Sequence, residues 1–429
     1  MIDVDAIVKE GLAHCREVEA VRQIRNFYDL GAPQRLEEQT GYSVRVNYQG
    51  RLGFAYSEGQ YTPRQMLQQA VDTASSGELV DFTLPRPNMP ESASPSQDWN
   101  SAIVQLRDTV RELRFALPVL MPERSFIINA QLVRDSFSVA NRWGTQTDER
   151  LIYLISLRSH QGAPIVATHY ATAAPNSIET ILHQLCWSNS LSNQVQNIST
   201  HAMPAIFSPQ AASQFWQDFI EDVWMDRPDK PWHPFATNPT ITVYEDGTLP
   251  GALGTTAIDG EGLPRQRLAL LQNGQPVQAL RDVLGARRSK QTPLGTAVRD
   301  WSKAPRPGYA NICVEAGNHT VSSLCQGISE GIWLDYLTPL TGTPQPGIFQ
   351  RRANVAYLLR EGRPVARLPQ LVVQGVFSDM LNQDFRGLGK HPQLFGRAQT
   401  PALAVANLRI FTRELSSQEE AIEPPQLWW

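Results

Sequence analysis

Cysteine is scarce in this chain, and the few cysteines lie far apart. The 429 residues include four cysteines, and these form no CxxC pair. A disulfide framework is therefore not expected in so large a chain. Because a free cysteine is usually a small core residue, we predict buried reduced thiols at Cys15, Cys186, Cys313 and Cys325.

The net charge is also low, and the apolar runs are short. The 38 basic and 42 acidic residues give a formal net charge of −4, which is too weak to attract nucleic acid or an anionic membrane. No apolar run approaches the roughly 18 residues that span a bilayer. The first residues, 1–5, show no signal-peptide pattern. We therefore expect a cytoplasmic protein with no membrane partner and no direct nucleic-acid partner.

Histidine pairs at metal-binding spacing are missing. The eight histidines are His14, His160, His169, His183, His201, His233, His319 and His391. The closest pair, His160 and His169, lies on two separate predicted strands, and no pair is four or five residues apart on a predicted helix. Two histidines at such a spacing can face one zinc ion. We therefore expect no metal and no other cofactor in this chain.

The N-terminal part of the sequence predicts a hairpin between helices. The positions of the apolar residues within residues 5–28 favour a helix. Within residues 41–56, Tyr42, Val44, Val46 and Tyr48 alternate with small or polar residues, as one face of a half-buried strand does. Gln49-Gly50 can close a tight turn before the second strand. A second helix is expected from Thr62-Pro63, a capping start, to Gly77.

The middle of the sequence predicts a linker followed by an antiparallel meander. Residues 82–99 contain four prolines among polar residues and predict a linker or an extended surface arm. A helix should begin near Asn100. Strands are then predicted over 125–133, 136–143, 151–158 and 164–172, with turns that favour antiparallel pairing. A helix over about 175–188 ends this part.

The C-terminal half alternates predicted strands with glycine-containing turns. A strand over 203–207 leads into a helix over 208–223, and further strands end at Asp246-Gly247, Asn273-Gly274 and Glu361-Gly362. We predict an α+β fold with mostly antiparallel sheets and flanking helices. The predicted units are an N-terminal α/β domain (1–81), a linker (82–99), a central meander (100–200), a larger β-rich C-terminal domain (201–412) and a polar tail (413–429).

Several segments in a shared order resemble one protein family. They are the hairpin 41–56, the acidic glycine-rich segments 245–251 and 259–262, Tyr309-Ala310-Asn311, Gly347-Ile348-Phe349, and the ending over 354–381. Together they resemble the TldD/PmbA family, cytoplasmic proteins of a zinc metallopeptidase system that are also named modulators of DNA gyrase. The resemblance covers roughly residues 20–411.

The resemblance also indicates a branch of this family. TldD-type chains carry His-Glu-x-x-x-His on a helix and a late cysteine, whereas TldE/PmbA-type chains lack the motif and pair with the zinc-bearing subunit. In this chain the corresponding helix reads Gln217-Asp218-Phe219-Ile220-Glu221-Asp222, and residues 394–401 contain no cysteine. The chain therefore resembles the TldE/PmbA branch.

The branch implies a function that the chain does not perform alone. The resemblance implies a non-catalytic subunit of a heterodimer, with zinc in a TldD-like partner and with unfolded peptides, including leader peptides, as substrates. The alternative is a homodimer that binds peptides or a regulatory partner without proteolysis. An independent hydrolase is the third interpretation, but the sequence shows no nucleophile, base and orienting group at a recognisable spacing.

Two acidic segments carry candidate site residues. Asp246, Gly247, Asp259 and Glu261 form either a structural turn and sheet edge or, by analogy with the family, a channel or interface segment. Asp218, Glu221 and Asp222 predict a solvated helix face, with binding of a hard cation as the alternative.

Other residues have one main interpretation each. We expect His319 and Cys325 to be structural, Ser208 to cap a helix, and the pairs Arg287-Arg288 and Arg351-Arg352 to be surface charge. The final Trp428-Trp429 is either a frayed end or a docking element, because exposed indoles are costly unless covered.

Overall fold

The structure is a computed structural model. It describes residues 3–31, 34–58, 61–80, 82–86, 98–159, 165–190, 195–199, 201–340, 342 and 345–411.

The described residues form helices and strands in an alternating order. In the first half these are α1 Val4–Gly11, β1 Glu17–Asp29, β2 Arg35–Tyr48, β3 Arg51–Ser57, α2 Pro63–Ala74, α3 Trp99–Leu120, β4 Ile127–Asn141, β5 Gly144–Ser159, β6 Ile165–Ala171 and α4 Glu179–Ser190. In the second half they are β7 His201–Phe207, α5 Pro209–Val223, β8 Val243–Asp246, β9 Arg267–Gln272, β10 Gln275–Pro276, α6 Val283–Arg288, β11 Ala297–Val298, β12 Arg306–Pro307, β13 Ile312–Val314, α7 Val321–Cys325, β14 Glu330–Thr338, β15 Ile348–Arg360, β16 Arg363–Arg367, β17 Leu371–Val376, α8 Phe377–Met380, β18 Phe385–Leu388, β19 Gln393–Phe395, β20 Ala398–Thr400 and β21 Leu403–Phe411.

A six-stranded antiparallel sheet takes up the N-terminal part. Its strand order is β3-β2-β1-β4-β5-β6, and Ala20 of β1 faces Val44 of β2 and Ala140 of β4 across the pairings. Helices α1, α2, α3 and α4 pack on the apolar face to which Val18, Ala20 and Tyr28 point. The predicted hairpin is confirmed as β2 and β3, with Gln49-Gly50 at positive φ in the turn.

The opposite face of this sheet is polar and charged, and it is nevertheless buried. Successive side chains of a strand alternate between faces, so Glu19, Gln23 and Arg25 point away from the helices, and each is at most 5% exposed. Gln23 Nε2 donates to Asp135 Oδ1 at 2.7 Å, and Arg25 Nε lies 3.3 Å from the same oxygen. The C-terminal half covers this face, since Arg299 lies within ion-pair distance of Glu19.

The helix predicted over residues 5–28 is wrong beyond its first turns. Helix α1 ends at Gly11, and residues 17–29 form β1. The glutamate, glutamine and arginine residues of this segment favour a helix by intrinsic propensity. In the fold, alternate residues are buried either against apolar helices or in ion pairs, and this period of two requires a strand.

The predicted linker over 82–99 is corrected at both described ends. Phe82 and Leu84 are 0% and 3% exposed and pack with Leu284, so they form part of the core and not a surface arm. Trp99 already belongs to α3, whose N-cap is Asp98. Residues 87–97 lie outside the described part of the chain.

The central meander has longer strands than predicted. The strands expected over 125–133 and 136–143 form the single strand β4, while β5 and β6 confirm the other two. Because β1 pairs with β4, the predicted units 1–81 and 100–200 share one sheet, and the boundary between them does not separate two sheets. The other domain boundaries stay predictions, and the tail 413–429 lies outside the described residues.

Two larger sheets and the two-stranded sheet of β11 and β12 lie in the C-terminal half. One has the order β14-β7-β21-β17-β15-β16, with β14 also paired to β15 and β18 paired to β21; the other has the order β10-β9-β8-β13-β20-β19. Only the pairs β14–β7 and β13–β20 are parallel among these named strands. The α+β fold with mostly antiparallel sheets is therefore confirmed. No described helix is long and apolar enough to cross a bilayer.

Helix α5 stands at the centre of the C-terminal core. It begins as predicted after Ser208, whose side chain accepts a hydrogen bond from the Ala211 N–H, with Pro209 in the first turn. Its aromatic side chains Phe215, Trp216 and Phe219 are fully buried. The helix packs against β19 and β20, and its polar residues form one of the two candidate sites described below.

Candidate functional site

The acidic glycine-rich segment begins as a turn at the end of β8. Asp246 is 5% exposed and accepts hydrogen bonds from the Thr248 N–H at 2.9 Å and from Thr248 Oγ1 at 2.7 Å. Gly247 follows it, and an added Cβ would lie 2.6 Å from the Arg265 side chain. Asn311, one of the residues that carry the resemblance, donates to the Asp246 carbonyl at 2.8 Å. These contacts hold the turn against β13.

Asp259 organises the next loop through backbone hydrogen bonds. Its Oδ1 accepts from the N–H groups of Glu261 at 2.8 Å and Leu263 at 2.9 Å, and its Oδ2 accepts from Ala297 at 3.0 Å. Burial raises the pKa of this carboxyl, while Arg265 and the donated N–H groups lower it. The side chain is 2% exposed, so Asp259 fixes the loop conformation.

Glu261 belongs to a buried ionic network with Glu19, Arg45 and Arg299. Arg45 lies 2.9 Å from both Glu19 and Glu261, and Arg299 lies 2.6 Å from Glu19. Burial raises the pKa of Glu261 to about 8, and Arg45 opposes this shift. Burial also acts on Glu19, but Arg45 and Arg299 outweigh it and lower the pKa of Glu19. We refer to these four residues as the ionic network.

The ionic network joins the N-terminal sheet to the C-terminal half. Glu19 lies on β1 and Arg45 lies on β2. Glu261 lies in the loop between β8 and β9, and Arg299 directly follows β11. Arg299 also donates to Ser43 Oγ at 2.9 Å. Asp246, Asp259 and Glu261 are thus buried inside the chain in structural contacts, and the channel or interface role of this segment stays a prediction.

Glu245, beside Asp246, is a buried carboxyl with an unusual pKa. It is 0% exposed, and its Oε1 accepts from the Ala310 N–H at 2.8 Å, while Arg265 is 3.8 Å away. Burial raises its pKa to about 7, and Arg265 and the Ala310 N–H only partly oppose this. Glu245 therefore carries its proton in the folded state at pH values where an unfolded chain has released it.

This carboxyl predicts a pH dependence of stability. A raised pKa in the folded state stabilises the fold below about pH 4.5, and this contribution is lost as the pH rises through about 7. Between pH 5 and pH 8 the loss should be about 2 to 3 kcal/mol. Glu245→Gln should remove this contribution and make the profile of unfolding free energy against pH less steep, as measured by urea denaturation at several pH values. The control is Glu37→Gln, at a carboxylate whose side chain is 52% exposed, and it should leave the profile unchanged. If Glu245→Gln also leaves the profile unchanged, the prediction is wrong.

The second candidate site is the polar side of α5. Asp218 binds Arg351 of β15 through two contacts, one of them from Nε to Oδ2 at 2.6 Å. Asp222 pairs with Lys230 and accepts from the Gly347 N–H at 2.6 Å. The expectation of a solvated acidic face is therefore wrong for these two residues, and so is the expectation that Arg351 is surface charge. Glu221 is exposed.

Cationic groups surround this side of α5. Burial raises the pKa of Asp218, and the hydrogen bonds and charge of Arg351 counteract it. Arg397, in the turn between β19 and β20, donates from Nε to the Ala310 carbonyl at 2.7 Å and lies over the Tyr309 ring. A divalent cation at Asp218 would have to displace the Arg351 guanidinium. Among the described residues, no three histidine, cysteine, aspartate or glutamate side chains are grouped to hold a metal ion.

The family model described as the PmbA/TldA metallopeptidase C-terminal domain matches residues 200–412. The chain belongs to the TldD/PmbA family. Within this family match lie α5, the segment 245–262 and Arg397, so both candidate sites contain residues of the matched region.

Curated TldD/PmbA relatives match part of the chain. A metalloprotease TldD homolog of Haemophilus influenzae is 24% identical over 194 residues, which is 45% of this chain and 37% of that protein. A metalloprotease of Synechocystis is 25% identical over 167 residues, which is 38% of this chain and 34% of that protein. The matched part of the chain thus spans about a third of the length of these relatives.

A solved structure of a TldE protein has the same fold. The crystal structure of TldE from Thermococcus kodakarensis superposes with a TM-score of 0.77 at 17% sequence identity, covering 95% of this chain and 99% of that chain. At this identity the match shows a common fold.

Three of the four cysteines of this family member are buried. Cys15, Cys313 and Cys325 are buried free cysteines, as predicted, and burial raises the pKa of each thiol. The side chain of Cys186 lies outside the described set. Arg287 donates to Thr83 Oγ1 at 3.1 Å.

Proposed function

We propose that this chain is a non-catalytic TldE/PmbA-like subunit. It would pair with a zinc-bearing TldD-like subunit to form a metallopeptidase that degrades or processes unfolded peptides, including leader peptides. Family membership supports a place in a metallopeptidase system, and the chemistry of α5 supports the non-catalytic role within it.

The main observation in support of this proposal is the ion pair between Asp218 and Arg351. A catalytic zinc site needs about three protein ligands, usually imidazole or carboxylate, and an open position for water. The residues of α5 that correspond to the family's zinc positions include no histidine. Asp218 is the most buried carboxylate among them, and the Arg351 guanidinium already neutralises it.

The segment that carries the late cysteine in TldD-type chains supports the same conclusion. Here residues 394–401 form the hairpin of β19 and β20 and place Arg397 next to Tyr309. The charges of Arg351 and Arg397 both act on carboxylates of α5, Arg351 on Asp218 and Arg397 on Glu221. Positive charge repels a divalent cation.

The test is a reconstitution with a TldD-type subunit and an unfolded peptide. We expect metal analysis of the purified chain to find substoichiometric zinc, and we expect cleavage only in the mixture. Glu221→Gln removes an exposed carboxylate of α5, and it should leave cleavage by the mixture unchanged, because the general base is expected in the partner subunit. Chelator-sensitive cleavage by this chain alone would refute the proposal.

Size-exclusion chromatography of the same mixture separates the proposal from the homodimer alternative. Co-elution of the two chains as a heterodimer supports the proposal. A stable homodimer that ignores the TldD-type chain would favour a peptide-binding protein without a protease role.

A further inference from the structure

An exposed basic and apolar surface runs along the C-terminal half of α3. Phe115 and Val119 are 80% and 73% exposed, and Arg111, Arg114 and Pro118 are exposed beside them. These five residues are spaced by three and four and therefore share one side of the helix. We call them the α3 outer face.

The α3 outer face is opposite to the side that the sheet covers. Leu106, Val110 and Leu113 are at most 2% exposed and pack in the core between α3 and the six-stranded sheet. An exposed phenylalanine next to a valine and a proline is an apolar patch of the kind that marks an interaction site. Arg114 lies beside it, and so does Arg111, which also pairs with Asp108 of the same helix at 2.8 Å. These arginines favour an occupant that combines apolar with acidic side chains.

The C-terminal tail of the same chain has this chemistry. Residues 412–429 include four glutamates and one arginine and end in Leu427-Trp428-Trp429. The acidic residues are Glu414, Glu419, Glu420 and Glu423. The tail thus offers negative charge followed by a large apolar end, which complements the arginines and Phe115 of the α3 outer face.

The tail is also long enough to reach a surface far from its start. Phe411, the last described residue, pairs with Val372 of β17. The 18 residues of the tail can reach about 60 Å.

We propose that the C-terminal tail docks on the α3 outer face of its own chain, with Trp428 and Trp429 against Phe115 and Val119. The glutamates of the tail pair with Arg114 and compete with Asp108 for Arg111. Salt weakens these exposed contacts. Docking within one chain is favoured because the tether gives the tail a high effective concentration at the surface. This interaction is independent of the proposed peptidase role.

The test uses full-length chains and a labelled synthetic peptide of residues 412–429. In the intact chain the tethered tail competes with the peptide. In the variant Trp428→Ser/Trp429→Ser this competition is removed, so the peptide should bind at least about tenfold more tightly to that variant than to the intact chain. Binding, measured by fluorescence anisotropy, should weaken as salt concentration rises.

Two variants of the serine-substituted chain locate the docking surface. Phe115→Glu should abolish peptide binding, because it replaces an 80% exposed apolar side chain with a charge that repels the tail. Val277→Glu, at another exposed apolar residue (47% exposed), should leave binding unchanged. Circular dichroism of both variants confirms that the fold is retained.

Three results would overturn the proposal. The first is equal peptide affinity for the intact chain and the serine-substituted chain, and the second is binding that Phe115→Glu leaves intact. The third is a homodimer of the intact chain that becomes a monomer on Trp428→Ser/Trp429→Ser substitution, because the tail would then dock on a second copy.

Discussion

Replacing Arg45 with methionine is expected to lower the free energy of unfolding by about 3 to 5 kcal/mol. Arg45 is 1% exposed and lies 2.9 Å from Glu19 and from Glu261. Without it, Glu19 keeps only Arg299 as a counter-charge, and Glu261 loses its nearest positive group. Methionine fills much of the space of the arginine stem, so the effect reports the lost charge more than lost packing.

The expected loss can be measured as a lower midpoint of urea denaturation followed by tryptophan fluorescence. Arg35→Met is a matched control on the same strand, since the Arg35–Glu37 pair has side chains that are 74% and 52% exposed. Exposed pairs contribute about 0 to 1 kcal/mol. Equal shifts for Arg45→Met and Arg35→Met would show that the ionic network does not hold the two halves of the chain together.

Phe215→Ala is expected to cost about 3 to 5 kcal/mol through a cavity beside α5. The Phe215 ring is fully buried, and its centroid lies 5.2 Å from that of Phe349 and 5.4 Å from that of Phe377. The β-strand and short helix that carry these rings cannot move into the space without breaking their own pairing. The variant therefore loses both buried apolar area and aromatic contacts.

A graded series at this position tests the cavity explanation. Phe215→Leu removes less volume and should cost clearly less than Phe215→Ala in the same denaturation experiment. If both variants cost the same, the effect would depend on the aromatic ring and not on the cavity. If neither shifts the midpoint, α5 is not at the centre of the C-terminal core.

The sequence predicted elements well where local signals and burial agree. The hairpin of β2 and β3 was predicted from alternation and from Gln49-Gly50, and both turn residues have positive φ. The start of α5 followed from Ser208-Pro209. Such turn and cap chemistry depends on a few neighbouring residues, which is why it is readable without knowledge of the fold.

The prediction was wrong where charged residues are buried. Residues 17–25 were predicted as part of a helix over 5–28, and their glutamate, glutamine and arginine side chains usually face water. Glu19 and Arg25 are instead buried by pairing with Arg45 and Asp135. These partners are 26 and 110 residues away along the chain, and no local pattern reveals them. Asp218 was misread for the same reason, since its partner Arg351 lies on β15.

By itself the sequence determined the fold class, the family resemblance and the lack of closely spaced helical histidines, because these depend on residue types and on spacing along the chain. The tertiary structure alone decided that β1 is a central strand, that Asp259 and Glu261 are internal, and that Arg351 neutralises Asp218. The physical reason is that burial and ion pairing depend on distances in space, and residues far apart in the chain set those distances only after the sheets have formed.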